Sequence, residues 1–172
     1  MRDRLRQLIG PDAYGVTVRT IHGFCQGVIN DNPVLFDEWS ASQQISDLER
    51  YRELNTILDQ LLPDLAIVNP KSPYGRTKEI LDRVSQVKRE GVSEEKLRQT
   101  VSEYAQQMVS KSKPGTKVHE KNLAAARKFK EFAEIFTRYQ AMLRSSGRYD
   151  FDDMILFVIQ ALEREEWLLM GL

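Results

Sequence analysis

Residues 17–25 read TVRTIHGFC, and the reading of this stretch decides what kind of molecule the chain is. Val16, Thr17 and Val18 set β-branched residues side by side, a composition that suits a pleated, half-buried strand. Residues 15–20 are therefore expected to form a strand, the one convincing strand of the sequence. The run ends in Thr20, Ile21, His22, Gly23, Phe24 and Cys25. A stripe of core residues would not need the polar Thr20 and His22, whereas a site would. A helix is expected from Phe24 to Asn30, stopping near Asn32-Pro33. A lone strand leaves two rows of backbone donors and acceptors unpaired. Either it packs irregularly or its partners lie outside this chain, and the second option makes the chain a fragment of a larger protein.

Outward from that stretch nearly everything reads as helix. Met1–Ile9 carries Leu5, Leu8 and Ile9 on one side and meets Gly10-Pro11, a stop signal. Ser46 and Glu49 have capping-box spacing. The helix they open aligns Leu48, Tyr51, Leu54, Leu58 and Leu61, and Pro63 closes it. NPKSPYG, 69–75, is a loop by its prolines and glycine. Residues 77–90 follow as a helix with Ile80, Val84 and Val87 inward, ended by Gly91. Ser93 caps the next, which presents Leu97, Val101, Tyr104 and Met108. SKSKPGTKVHEK, 110–121, is basic and broken by Pro114-Gly115, and is expected as an exposed loop. A long helix then runs to about Leu143 with Ala125, Phe129, Phe132, Phe136, Tyr139 and Leu143 at alternating spacings of four and three, a seam for packing on other helices. SSGRYDFDD, 145–153, breaks it, and an amphipathic helix follows from Met154. The fold class is accordingly mainly α: a helical bundle with one orphan strand.

Composition narrows the function. The 172 residues contain 25 Lys and Arg against 25 Asp and Glu. That balance argues against a free-standing nucleic-acid binder held by bulk charge. The charge is nevertheless segregated. Residues 105–130 carry Lys111, Lys113, Lys117, Lys121, Arg127, Lys128 and Lys130 against Glu120 alone, and 150–166 carry Asp150, Asp152, Asp153, Glu163, Glu165 and Glu166 against Arg164 alone. Each run also reads simply as a solvated helix face. No apolar run approaches the ~20 residues that span a bilayer, and the N-terminus lacks the apolar core of a secretory signal. A single cysteine forms no intrachain disulfide and fits a reducing, cytoplasmic setting. One cysteine and two histidines are too few for a structural zinc site.

No phosphate-binding G-x-x-x-x-G-K-[ST] loop is present; PGTK and YGRTK hold only pieces of one. Asp150, Asp152 and Asp153 could hold Mg²⁺ through oxygen ligands, but aspartates at a helix start also cap its free N–H groups and suit its dipole. Phe151 between them is either folded under the helix or offered to a flat ligand such as a base. His22 has no acid or nucleophile at a recognisable distance, so no catalytic triad is supported. His119 is expected to be solvated, and Cys25 to be buried as a small hydrophobe.

Together, MRDRLRQLIG, then TIHGFC, then RYQAMLRSSGRYDFDDMILFVIQALE resemble three blocks of the UvrD/PcrA/Rep-type superfamily 1 DNA helicases. The family forms are EMRxRL, TFHSFC and ryxxxlrxxgxlDFDDLL. Ile21 and Gly23 depart from the commoner Phe and Ser. The resemblance covers nearly the whole chain and implies a RecA-like motor domain, 1A, interrupted by a helical insertion, 1B. It implies residues 1–31 as a piece of 1A, 32–147 as 1B and 148–172 as the return into 1A, lying between motifs Ia and II. The parent would be an ATP-dependent 3′–5′ DNA helicase using ATP and Mg²⁺ bound elsewhere. This segment would hydrolyse no ATP alone and would hold no cofactor or metal. Its partners would be single-stranded and forked DNA and the rest of the motor, with no membrane. By position, Thr20 and His22 become contacts on the single-strand track, and Phe151 part of a base-accepting pocket. Lys111, Lys113 and Lys117 are candidates for duplex phosphate contact, from charge and exposure rather than a family motif. A helical protein-interaction module is the alternative. A third reading, a small Mg²⁺-dependent hydrolase built on Asp150, Asp152 and Asp153, would require turnover by the isolated chain.

Overall fold

Local capping chemistry sets where most helices start, and a computed structural model describes residues 2–36, 42–63 and 65–171. Helix α1 (Arg2–Ile9) is followed by a 3₁₀ turn, Gly10–Tyr14, with Gly10 at φ 62°; Met1, expected to begin α1, lies outside the described residues. Helix α2 spans Ile21–Asp31. The remaining elements are β1 (Gln43–Gln44), α3 (Asp47–Leu61), α4 (Thr77–Arg89), α5 (Glu94–Ser110), α6 (Lys117–Ser145), β2 (Arg148–Tyr149), α7 (Phe151–Arg164) and α8 (Glu166–Met170). Ser46 and Glu49 form the expected capping box at α3, and the Ser93 hydroxyl accepts from Lys96 N–H at α5. Gly91 and Gly147 take φ near +60° after α4 and α6, a conformation that costs a glycine little and an L-side chain more.

The mainly α class is as expected, but the strand is not where it was read. Residues 16–20 carry no strand, and Val16 and Val18 are exposed. β-branched composition favours a strand only when a neighbour supplies the ladder, and among the described residues none does so. The ladder that exists is a two-residue parallel pair, Gln43 opposite Arg148 and Gln44 opposite Tyr149. These are polar residues with no alternation to reveal them. Helix α2 also begins three residues earlier than expected, because Thr20 caps it.

Two hydrophobic clusters organise the chain. The larger joins Leu54, Ile57 and Leu58 of α3, Ile80, Leu81 and Val84 of α4, Ile135, Phe136, Tyr139 and Leu143 of α6, and Leu65, Ile67 and Val68 between α3 and α4. The smaller joins Cys25 and Val28 of α2, Phe36, Met154 and Val158 of α7 and Leu168 of α8. The C-terminal half of α6 is thus the spine of the larger core. Its N-terminal half pairs with α5 in a helical hairpin instead. The aromatic row divides accordingly: Phe136 and Tyr139 are buried, while Phe129 is 40% exposed and meets Tyr104 edge-on at 5.7 Å. Leu48, expected inward, is exposed, and Ile57 takes the inward place on α3. The basic segment at 110–121 is a tighter turn than expected. Thr116 caps α6, so Lys117 and Lys121 are helical. His119 is half-buried, its Nδ1 3.0 Å from Ser112 Oγ, rather than solvated.

Candidate nucleic-acid interface

Thr20 ends an extended segment and opens α2, its Oγ1 accepting the Gly23 N–H at 3.1 Å. This cap uses the oxygen as an acceptor and not the hydroxyl hydrogen. His22 lies in the first turn of α2, half-buried, rather than at a strand end. Its ring meets that of Phe151 at 4.9 Å between centroids and 90° between planes. Phe151 is the first residue of α7 and is 38% exposed. The two residues come from opposite ends of the chain and meet because α2 packs on α7 through the smaller cluster. Thr20, His22 and Phe151 therefore share one edge of the molecule.

An open cleft of about 530 Å³ adjoins this edge, lined by Thr17, Arg19, Thr20, Ile21, Phe24 and Gly171. Arg19, a residue the sequence reading passed over, lines it and runs back along α2, its guanidinium beside Gly27. A Cβ on Gly27 would come within 2.8 Å of Arg19 Nη1, so the glycine makes room for the guanidinium. Gly23 and Gly27, four apart on one helical face, were the signal that the backbone is approached closely there.

Asp150 is the N-cap of α7, and it forms a reciprocal capping box with Asp153. Asp150 and Asp153 also share a buried cation. Lys88 Nζ donates to Asp150 Oδ2 and to Asp153 Oδ1, each at 2.8 Å. Arg89 Nε donates to Asp152 Oδ1 at 3.0 Å. Tyr139 donates its hydroxyl to Asp150 Oδ2 at 3.3 Å and accepts from Arg50 Nε at 3.1 Å. Burial alone would push the Asp150 carboxyl up, but the charge and hydrogen bond of Lys88, with Arg50 beyond, hold it below the ordinary carboxylate range. Asp153 moves the other way, raised by burial and by the charge of Asp150 against the pull of Lys88. Burial and the Asp150 charge raise the Tyr139 phenol, so it stays a donor. Every carboxylate around Phe151 is occupied by a protein cation, so the three do not fit a Mg²⁺ site. Lys88 is 2% exposed; it falls four residues past Val84 and eight past Ile80, on the inward face of α4, a spacing that could have marked it.

Lys111, Lys113 and Lys117 are exposed at the turn between α5 and α6. Asp150, the neighbour of Phe151, bonds Tyr139 of α6, which is about 33 Å along the helix from Lys117 at 1.5 Å per residue, so these lysines stand on the order of 30 Å from Phe151. They form a second surface, separate from the Thr20–His22–Phe151 edge. Among the described residues, no helix is long and apolar enough to cross a membrane.

No curated protein and no solved structure matches the chain. The family model of the UvrD/REP helicase N-terminal domain matches residues 1–171. Over that whole length, from the α1 block through the Thr20 cap to the Asp150 cap, the chain belongs to the UvrD/REP helicase N-terminal domain family.

Proposed function

We propose that this chain is the DNA-contacting part of an ATP-dependent helicase that moves 3′ to 5′ along a single strand. The perpendicular contact of His22 with the half-open Phe151, beside the Thr20 hydroxyl, carries the reading. A partly exposed aromatic ring can stack on a base, whereas a hydroxyl suits an adjoining phosphate. Each stacked base contributes about 1–3 kcal/mol, enough for such a pocket to hold the strand between steps of a motor. ATP and Mg²⁺ belong to the motor's own nucleotide site, and this chain contributes no residue to hydrolysis. The exposed Val16, Val18 and Ile21 are the face on which the rest of the motor packs. The two separate clusters support a division into motor pieces at both ends and a helical insertion between them. Leu35 and Phe36 pack with the smaller cluster, so the first boundary is better set after 36 than at 31. Lys111, Lys113 and Lys117, at the far tip of the α5–α6 hairpin, would meet duplex phosphates.

A protein-interaction role is favoured by one observation, an open groove of about 640 Å³ on the hairpin lined by Ala105, Val109, Leu123 and Ala126. The two readings separate in a fluorescence titration of the full chain with single-stranded and forked DNA at low and high salt. The helicase reading expects single-strand binding that Phe151→Ala weakens. Equal binding by both proteins, or none by either at low salt, refutes it.

A further inference from the structure

Phe151 is flanked in sequence by Asp150, Asp152 and Asp153, and all three are held by two consecutive residues of one distant helix. Lys88 takes Asp150 and Asp153, and Arg89 takes Asp152. The Lys88 ion pairs bridge 62 and 65 residues of sequence. They also join the two clusters, because α4 belongs to the larger and α7 to the smaller. The cation is not needed for capping, since Asp150 and Asp153 already satisfy each other's backbone N–H groups. Nor is a buried ion pair an efficient way to gain stability, as apolar replacements are often neutral or better. What the arrangement does supply is direction. With the residue before Phe151 and the two after it anchored, the Cα–Cβ bond of Phe151 is aimed by α4. Its ring stands 4.9 Å from His22 while remaining partly open.

We propose that Lys88, assisted by Arg89, is a positioning residue for Phe151, through which the helical unit sets the orientation of that ring toward a base. The base itself rests on the function proposed above; the orientation does not. A displacement of α4 is felt at the start of α7 through Lys88 and Arg89, while Arg50 and Tyr139 tie the same Asp150 to α3 and α6.

The test uses the full chain and a readout that does not involve DNA. The chain has two histidines, so the imidazole proton signals of His22 are readily assigned by NMR, and the ring current of Phe151 displaces them from their positions in Phe151→Ala. Lys88→Met is expected to move the His22 signals toward those of Phe151→Ala, and Lys88→Arg, which keeps the charge, to move them less. Should Lys88→Met not fold, Arg89→Ala, which removes only a largely solvent-exposed side chain, is expected to give a smaller shift in the same direction. His22 signals unchanged from wild type in the folded variants overturn the proposal. A second titration uses a single-stranded oligonucleotide containing 2-aminopurine. Lys88→Met is expected to weaken binding by at least about fivefold, the low end for one stacked base, and to add nothing in a Phe151→Ala background. Full additivity of the two losses overturns the positioning role. If the His22 signals shift as stated while Phe151→Ala binds the oligonucleotide as well as wild type, positioning stands and the DNA reading alone fails.

Discussion

Lys88→Met removes an ammonium whose side chain is 1% exposed and leaves Asp150 and Asp153, at 0% and 12% exposure, facing one another without a cation between them. Breaking a buried pair by deleting one partner costs about 3–5 kcal/mol. With a urea m-value of about 1–3 kcal/mol per molar for a small protein, the midpoint should fall by roughly 2 M at pH 7. The pH dependence carries the sharper signature. In the wild type, Asp150 is depressed, so its stabilisation is present above the ordinary carboxylate range and is lost as pH falls. Asp153 is raised and contributes with the opposite sign. Without Lys88, burial and mutual repulsion push the pair upward against Arg50 alone, so the variant loses less stability than the wild type as the medium is acidified. The deficit of Lys88→Met should therefore be largest at pH 7 and narrow toward pH 4. The triple variant Lys88→Met, Asp150→Asn, Asp153→Asn should recover part of the loss, because the two carboxylates no longer face each other, while Arg50 loses Asp150 at 3.8 Å and keeps Asp47 at 3.6 Å. Urea unfolding followed by circular dichroism at several pH values measures all three proteins. A deficit below about 1 kcal/mol at neutral pH, or one that widens on acidification, would show that Lys88 does not balance these two charges.

Three further outcomes follow from particular side chains. Thr20→Ala should destabilise the chain by about 1 kcal/mol through loss of the α2 cap, whereas Thr20→Ser should keep thermal stability near wild type. Phe136→Ala, at a position 1% exposed, should cost about 3–5 kcal/mol, while Phe129→Ala on the same helix, at 40% exposure, should cost far less; equal losses in denaturant unfolding would contradict the split of α6 into a core half and a hairpin half. Replacing Lys111, Lys113 and Lys117 with Glu should weaken forked-DNA binding and flatten its salt dependence, by up to about 0.9 in log–log slope for each phosphate that is no longer neutralised. An unchanged slope would remove those lysines from the interface.

Three helix caps were legible in the sequence and two were missed, because the residues around Thr20 and Thr116 read as strand and loop although each caps a helix. Ser46, Ser93 and Asp150 all cap the helices that follow them. The positive φ at Gly91 and Gly147 was equally local. The reading failed where the deciding neighbour was remote. A β-branched run without a ladder became an exposed extended segment, and a polar pair of glutamines became a strand because Gly147 and Tyr149 offered their carbonyls. The aromatic spacing of α6 was read correctly as one stripe, but periodicity cannot tell how much of a stripe has a second layer to meet.

Residue types alone determined that the chain is mainly helical and that Ser46, Ser93 and Asp150 cap helices; that Thr20 and His22 open a helix rather than end a strand was not legible. Tertiary structure alone decided that His22 and Phe151 touch, that the Arg19 guanidinium lies beside Gly27, and that Lys88 lies under the Asp150 cap. The physical reason is range. A cap or turn is closed by hydrogen bonds to the next few residues and is written in their order. A buried ammonium is tolerated only where carboxylates from the other end of the chain have already been brought to meet it.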